Sequence, residues 1–357
     1  MKQFDDYLPF VLQHNNIARI EDDTLLIGDR RLYPFKKEFY RCAGVEEAAE
    51  AIEMMVTQGG GPVHVAMTAI ELLAARAEAG KISKTPDLFE QAKQRLQSTR
   101  PTNTTMARTL EVMVDKVRSG IESGENIEEI AAGYIETFKS DYQQKALRMA
   151  EVGSSLIEDG DGVMTMCFAE TSFILSIALA MEQGKQIKVY SPETRPYFQG
   201  ARLTAPCLQE IGADVTLITD SMVAYVMSQG KVQKYMTAVD IITRDGWAAN
   251  KVGTFQNAIA ANYHGIPYFP FAIDPDMTRQ GRDSIVIEER DSEEVKRVKG
   301  ELTTRSDMQA YYPAFDIVPP HLIAGVITPQ GLVSPYQLRQ VFGPEAGAAE
   351  HGSEARA

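Results

Sequence analysis

The stretch "GVMTMCFAETSFILSIALAMEQGKQIKVYS", residues 162–191, decides the fold. A short apolar run, Gly162 to Phe168, reads as a strand. The amphipathic stretch from Thr171 to Lys185 has the length of a helix, and "QIKVYS" returns to strand character. Two strands joined by a helix make a unit whose strands lie parallel. The same rhythm runs downstream. Strand-like "DVTLIT" (214–219), "YMTAVDII" (235–242) and "IPYFPFA" (266–272) alternate with amphipathic "YFQGARLTAPCLQEIG" (197–212), "MVAYVMSQGK" (222–231) and "GTFQNAIAANYHG" (253–265). "HLIAGVITPQG" (321–331) adds one more strand.

This repetition predicts an α/β fold with a Rossmann-like parallel sheet and helices on both faces. Upstream the pattern differs. "IARIEDDTLLIGDRRLYPFKKEFYRC" (17–42) is broken by "EDD" and "GDRR" into a short antiparallel meander. Helical periodicity follows from Val45 to Ile157, with Thr85-Pro86 and Asn126 as helix starts. The expected organisation is a mainly helical domain over 1–145 and a Rossmann-like catalytic domain over 146–342. A small, polar, aperiodic tail without fixed structure is expected over 343–357. The glycine cluster "GGGP" (59–62) lies between two helical segments and not after a first strand, so NAD or FAD binding is not expected.

Composition narrows the function classes. Of 357 residues, 44% are apolar and 24% charged, which is ordinary for a globular chain with room for two cores. A net charge of -13 disfavours nucleic acid and anionic membranes as partners. Three cysteines, Cys42, Cys167 and Cys207, without tight spacing fit neither a disulfide framework nor a zinc site, and the five histidines are scattered. No cofactor and no metal are expected. "MKQFDDYLPF" lacks a basic region followed by an apolar one, and no apolar run reaches bilayer length, so a cytoplasmic location is expected.

In an open parallel sheet, ligands sit beyond the carboxyl ends of the strands. Those ends carry Cys167, Glu170, Thr171 and Ser172, then Glu193, Thr194 and Arg195, then Thr219, Asp220 and Ser221, and finally Asp240. Thr171, Ser172, Ser221 and Asp220 serve equally well as helix caps, and Arg195 as a solvated cation. Asp240 interrupts "TAV" and "II" in a strand expected to be buried on both faces, where an acid needs a partner or a raised pKa. Cys167 lies where a strand runs into the amino end of a helix, which favours thiolate, while burial opposes it. A thiol and an acid in one apolar cleft can move a proton between neighbouring carbons.

Five motifs carry a resemblance: "RPTNTT" (100–105), "ETRPYFQGARLT" (193–204), "DGWAANKVGT" (245–254), "IVIEERD" (285–291) and "YPAFD" (312–316). Together they resemble the methylthioribose-1-phosphate isomerases of methionine salvage. That superfamily also holds ribose-1,5-bisphosphate isomerases and regulatory subunits of a translation-initiation exchange factor. The resemblance covers about residues 18 to 340. It implies an intramolecular aldose-1-phosphate to ketose-1-phosphate isomerase acting on a phosphorylated pentose as a homodimer. Cys167 then matches the catalytic cysteine, and Asp240, in "AVDII", the catalytic acid. Arg100, Gln199, Asn250 and Lys251 match substrate-binding positions, and Gly59, Gly60 and Gly61 the phosphate loop.

The chain departs from that pattern at informative places. "QGGGP" replaces the usual "RGAP", so a guanidinium is missing, although backbone N–H groups of Gly60 and Gly61 can still cradle an anion. "FAETS" replaces an "N-x-G" turn after Cys167, "AVDI" loses the arginine of "GADR", and Trp247 and Thr254 flank the "ANK" segment. His64, beside the loop, either replaces the missing cation or packs in the core. The departures bear on which sugar is bound. S-methyl-5-thioribose 1-phosphate, 5-deoxyribose 1-phosphate, ribose 1,5-bisphosphate and non-catalytic sugar-phosphate binding all remain open.

Overall fold

A computed structural model of the chain describes residues 4–100 and 104–343. It divides into two compact units, Met1–Gln144 and Lys145–Ala357. The tail expected from 343 falls, after Gly343, outside the described residues, as do Pro101 to Asn103 of "RPTNTT".

The first unit opens with α1 (His14–Ile17) and an antiparallel meander of β1 (Ala18–Glu21), β2 (Thr24–Gly28) and β3 (Phe39–Cys42). Helices α2 (Val45–Glu53), α3 (Gly61–Glu78), α4 (Pro86–Ser98) and α5 (Thr104–Ser123) follow, and α6 (Ile127–Leu156) runs across the unit boundary. Local chemistry sets their starts. Pro86 occupies the first turn of α4 after Thr85, where its missing N–H is not needed. The Asn126 side chain accepts from the N–H groups of Glu128 and Glu129 and so caps α6. Leu25, Ile27, Ile52, Ile70, Leu110 and Val114 close the core.

The second unit is the expected α/β layer. Its strands are β4 (Gly162–Met164), β5 (Lys188–Pro192), β6 (Asp214–Ile218), β7 (Lys234–Ala238), β8 (Ile241–Ile242), β9 (Ala248–Lys251), β10 (Tyr268–Phe271), β11 (Arg297–Val298), β12 (Glu301–Leu302), β13 (Phe315–Val318), β14 (Val326–Thr328) and β15 (Gly331–Val333). Among the described residues a seven-stranded sheet has the order β15-β14-β10-β7-β4-β5-β6. All neighbours are parallel except the β14–β15 hairpin. Helices α7 (Glu170–Glu182), α8 (Ala205–Glu210), α9 (Val223–Ser228) and α10 (Thr254–Tyr263) connect the strands, and α11 (Leu338–Phe342) ends the described chain.

A second, antiparallel sheet of order β13-β9-β8 carries Asn250 and Lys251. Its register sets Lys251 opposite Phe315 and Asn250 opposite Asp316. Because side chains alternate along a strand, Lys251 and Phe315 share one face and Asn250 and Asp316 the other.

Three local expectations are corrected. Asp240 is not inside a doubly buried strand. β7 ends at Ala238, and Asp240 is an exposed bend residue whose N–H donates to Ala249 O at 3.0 Å as the chain folds back onto β9. Thr171 and Ser172 are not caps but buried residues in the first turn of α7. "YFQGARLTAPCLQEIG" does not run as one α-helix, because Gly200–Thr204 forms a π turn before α8. A Cβ on Gly200 would lie 1.8 Å from the Pro192 carbonyl oxygen, so only glycine allows this close return.

Candidate active site

Cys167 lies three residues beyond β4, in a left-handed backbone conformation with φ +60°. Such a conformation is uncommon for a residue with a side chain and persists where surrounding contacts enforce it. Two buried threonines of "ETRPYFQGARLT" do so. The Cys167 N–H donates to Thr194 Oγ1 at 3.1 Å. Thr204 Oγ1 donates to Cys167 O at 2.6 Å and accepts from the Ala169 N–H at 3.0 Å. Thr194, itself at φ +64°, is held in turn by Asp220, whose carboxylate accepts from the N–H groups of Thr194 (2.8 Å) and Arg195 (2.7 Å). Asp220 therefore anchors this loop and does not merely cap the next helix. The Arg195 guanidinium donates to the carbonyls of Val295 and Arg297.

Lys251 comes to this thiol from β9. It is 3% exposed, and among the described residues no carboxylate lies within ion-pair distance of it. Its ammonium stands 5.1 Å from the Phe315 ring centre, 5.6 Å from that of Tyr312, and 3.5 Å from the Tyr312 hydroxyl. Aromatic faces supply part of what water would have given the charge. Burial still lowers the lysine pKa, opposed first by Cys167.

Asp240 belongs to the same electrostatic group. Burial pushes the Cys167 thiol up to about 12, with Lys251 pulling it down and Asp240 pushing it further up. Burial also raises the Asp240 carboxyl, against Lys251 and Arg290. Solvent reaches both groups, Asp240 being exposed and Cys167 half-buried. The sequence suggested that a helix start would favour thiolate. The thiol precedes α7 by three residues, and desolvation dominates.

Gln199, 4% exposed, leaves its Oε1 without a protein donor among the described residues, as a ligand hydroxyl would need. Asn250 is turned elsewhere, its Nδ2 donating to Thr254 Oγ1 at 3.0 Å at the start of α10. A cavity of about 400 Å³ opens on that side, reaching Met166, Asn257, Asp220 and Asp316 but not Cys167, Asp240 or Lys251. Both its carboxylates are already used, Asp316 accepting from the N–H groups of Gly253 and Phe255. The thiol cluster therefore stands apart from this cavity.

The remaining expected residues lie in the first unit. Gly59 (φ +58°) and Gly60 (φ -72°, ψ -16°) are successive left- and right-handed residues leading into α3, and the Gly61 N–H, expected to cradle an anion, instead donates to Gln58 O at 3.0 Å. A Cβ on Gly61 would fall 1.9 Å from Thr57 Oγ1. Thr57 Oγ1 and Gln58 Nε2 are buried without a protein partner among the described residues. Arg30, 2% exposed and not foreseen from sequence, donates to the carbonyls of Gln58 and Val11. By holding the Gln58 carbonyl inward, it turns the Gly59 N–H outward. Arg100 donates to Ile52 O, 2.8 Å away, near the end of α2. His64 is no substitute cation. It packs among Phe138, Tyr142 and His14, and burial pushes its pKa down to about 3.

Sequence reasoning also passed over Thr194 and Thr204 as anchors, and Arg290, Glu288 and Tyr312 as neighbours of Lys251. All five stand in the motifs quoted above, which was the available signal. Among the described residues no group of three or more His, Cys, Asp or Glu side chains is arranged to hold a metal, and no helix is long and apolar enough to cross a membrane.

Comparison with known proteins agrees with this architecture. The Initiation factor 2 subunit family matches residues 59–335. A methylthioribose-1-phosphate isomerase of Fervidobacterium nodosum is 35% identical over 331 residues, covering 88% of this chain and 93% of that protein. The crystal structure of 5-methylthioribose 1-phosphate isomerase from Pyrococcus horikoshii OT3 superimposes with a TM-score of 0.83 at 29% identity, covering 95% of this chain and 99% of that one. The translation initiation factor eIF-2B subunit delta from A. fulgidus gives 0.79 at 32% identity, covering 93% and 98%. With this match over most of its length, the chain belongs to the Initiation factor 2 subunit family.

Proposed function

We infer that the protein is an aldose–ketose isomerase converting S-methyl-5-thioribose 1-phosphate to S-methyl-5-thioribulose 1-phosphate, with Cys167 and Asp240 moving the proton. Its similarity to isomerases with that name supports the reading. The observation that carries it is a buried lysine that has, among the described residues, no carboxylate within ion-pair distance and that is coupled electrostatically to a thiol and an acid. A fold gains no stability from an unpaired buried ammonium, whereas a site that develops negative charge needs one.

The pair rests as thiol and carboxylate. Passing the thiol proton to Asp240 makes the thiolate base and carboxylic acid that the reaction requires. Asp240 protonates the ring oxygen as the bond from C1 to that oxygen breaks. Cys167 then takes the proton from C2, leaving an enol between C1 and C2. Cys167 then returns that proton to C1 while the Asp240 carboxylate takes the proton of the C2 hydroxyl, which completes the ketose and restores the thiolate and carboxylic acid. Lys251 opposes the negative charge on sulfur and on the enol oxygen. Gln199 serves the sugar hydroxyls, and the Gly59–Gly61 loop and Arg100 the phosphate. The working form is a cytoplasmic homodimer.

The test offers the purified protein S-methyl-5-thioribose 1-phosphate and 5-deoxyribose 1-phosphate, following ketose by NMR. Cys167→Ser and Asp240→Asn should each lower kcat by about a hundredfold or more. Undiminished turnover in both would remove the assigned roles. The altered "QGGGP" loop favours a second reading in which the 5-deoxy sugar is preferred, and the ratio of the two kcat/KM values decides between them.

A further inference from the structure

Arg290 has no part in the proton transfer above, yet its charge reaches every group that does. It stands in "IVIEERD", whose residues 288–290 run antiparallel to residues 312–314. The Arg290 N–H donates to Tyr312 O at 3.0 Å, the Ala314 N–H donates to Glu288 O at 2.8 Å, and Glu289 bridges Pro313. Alternation along this ribbon puts Glu288 and Arg290 on one face and Glu289, which takes the Tyr311 hydroxyl at 3.1 Å, on the other. Glu288 holds the guanidinium at 2.7 Å through Nε. The guanidinium carbon lies 5.8 Å from the Phe315 ring centre, the ring that Lys251 also faces at 5.1 Å.

We propose that Arg290 is a positioning residue for this site: oriented by Glu288 and sharing the Phe315 ring with Lys251, it supplies a second, permanently charged cation that, beside Lys251, keeps the Cys167 thiolate attainable. The inference rests on the isomerase reading above. Lys251 cannot fill this role alone, because burial lowers its pKa while the thiol is pushed up to about 12. As pH rises towards thiolate formation, the ammonium is losing its proton. A guanidinium keeps its charge throughout. Arg290 lowers the pKa of Cys167, Asp240 and Lys251 alike, as one nearby positive charge must. The charged and titratable groups facing it are Cys167, Asp240, Lys251, Glu288, Glu294 and Tyr312.

Alkylation of Cys167 by iodoacetamide against pH, read by peptide mass spectrometry on the full-length protein, tests this without substrate. Cys42 and Cys207 are buried and serve as internal references. Arg290→Met should move the Cys167 profile to higher pH, slowing alkylation by about threefold or more at a pH of about 9. Arg290→Lys should restore most of the rate. Glu288→Gln, which removes the counter-charge, should move the profile the other way. Isomerase kcat should fall in Arg290→Met with a smaller change in KM. Superimposable profiles for folded Arg290→Met and wild type would overturn the proposal. If Arg290→Met does not fold, an unmoved profile in Glu288→Gln does the same. A shifted profile in a protein that turns over no sugar phosphate would leave Arg290 in its role and remove the isomerase reading instead.

Discussion

Replacing Lys251 by methionine should make the protein more stable and nearly inactive. The side chain is 3% exposed and has no acid partner among the described residues. Removing an ammonium from water costs several kcal/mol even after relaxation. Its contacts with the Tyr312 and Phe315 rings return about 0.5–2 kcal/mol each. Methionine keeps the length and apolar surface of the stem and needs no solvation. The balance is a gain of about 1–3 kcal/mol, which raises Tm by about 2–12 °C at about 2–4 °C per kcal/mol for a unit of this size. The sign with pH is also fixed. A lysine whose folded pKa lies below the ordinary 10.5 destabilises the fold while charged, and the penalty disappears as pH rises through that lowered value. Wild type should therefore narrow the gap to the variant on the alkaline side, up to about 10.5. Differential scanning calorimetry at several pH values, with turnover measured alongside, provides the check. A variant that melts below wild type, or that keeps its activity, would refute the reasoning.

Two further outcomes follow from residues around the site. Thr204→Val retains shape but strands the Cys167 carbonyl and the Ala169 N–H, both hydrogen-bonded to Thr204 Oγ1. At about 1–3 kcal/mol for each buried group left unsatisfied, urea denaturation should register a loss of about 2–6 kcal/mol, and an unchanged midpoint would exclude the pinning role. Asp316, raised by burial to about 6, destabilises the fold when ionised. Its contribution is intact below the ordinary 3.8 and is lost as pH rises through about 6. About two units at 1.36 kcal/mol each make about 3 kcal/mol, so Asp316→Asn should gain on wild type between pH of about 4 and 7. A stability gap independent of pH would contradict this.

The alternation from residue 162 onward made the parallel sheet legible, because buried parallel strands are short apolar runs and their connecting helices have a different period. Cys167 and Asp240 were legible from the strand ends as well as from motifs, and Lys251 only through a motif. Periodicity placed Asp240 inside a strand, since "TAV" and "II" flank it. The hydrogen bond from its N–H to Ala249, nine residues on, is a tertiary event that local pattern does not encode. Asn250 and Lys251 were grouped because they are adjacent. Strand geometry alone could have separated them, as neighbours in a strand face opposite ways. The roles of Thr194, Thr204 and Arg290 escaped notice because each acts on residues 27 to 123 positions away, so that their motifs mark them without showing what they hold.

The strained, desolvated thiol has a consequence for durability. With a pKa near 12, on the order of one Cys167 sulfur in 100,000 is a thiolate at neutral pH. Peroxides and electrophiles attack that form, so the resting protein should resist oxidative inactivation although the Cys167 sulfur is only half-buried. The same environment that makes the base hard to form would also act as its shield.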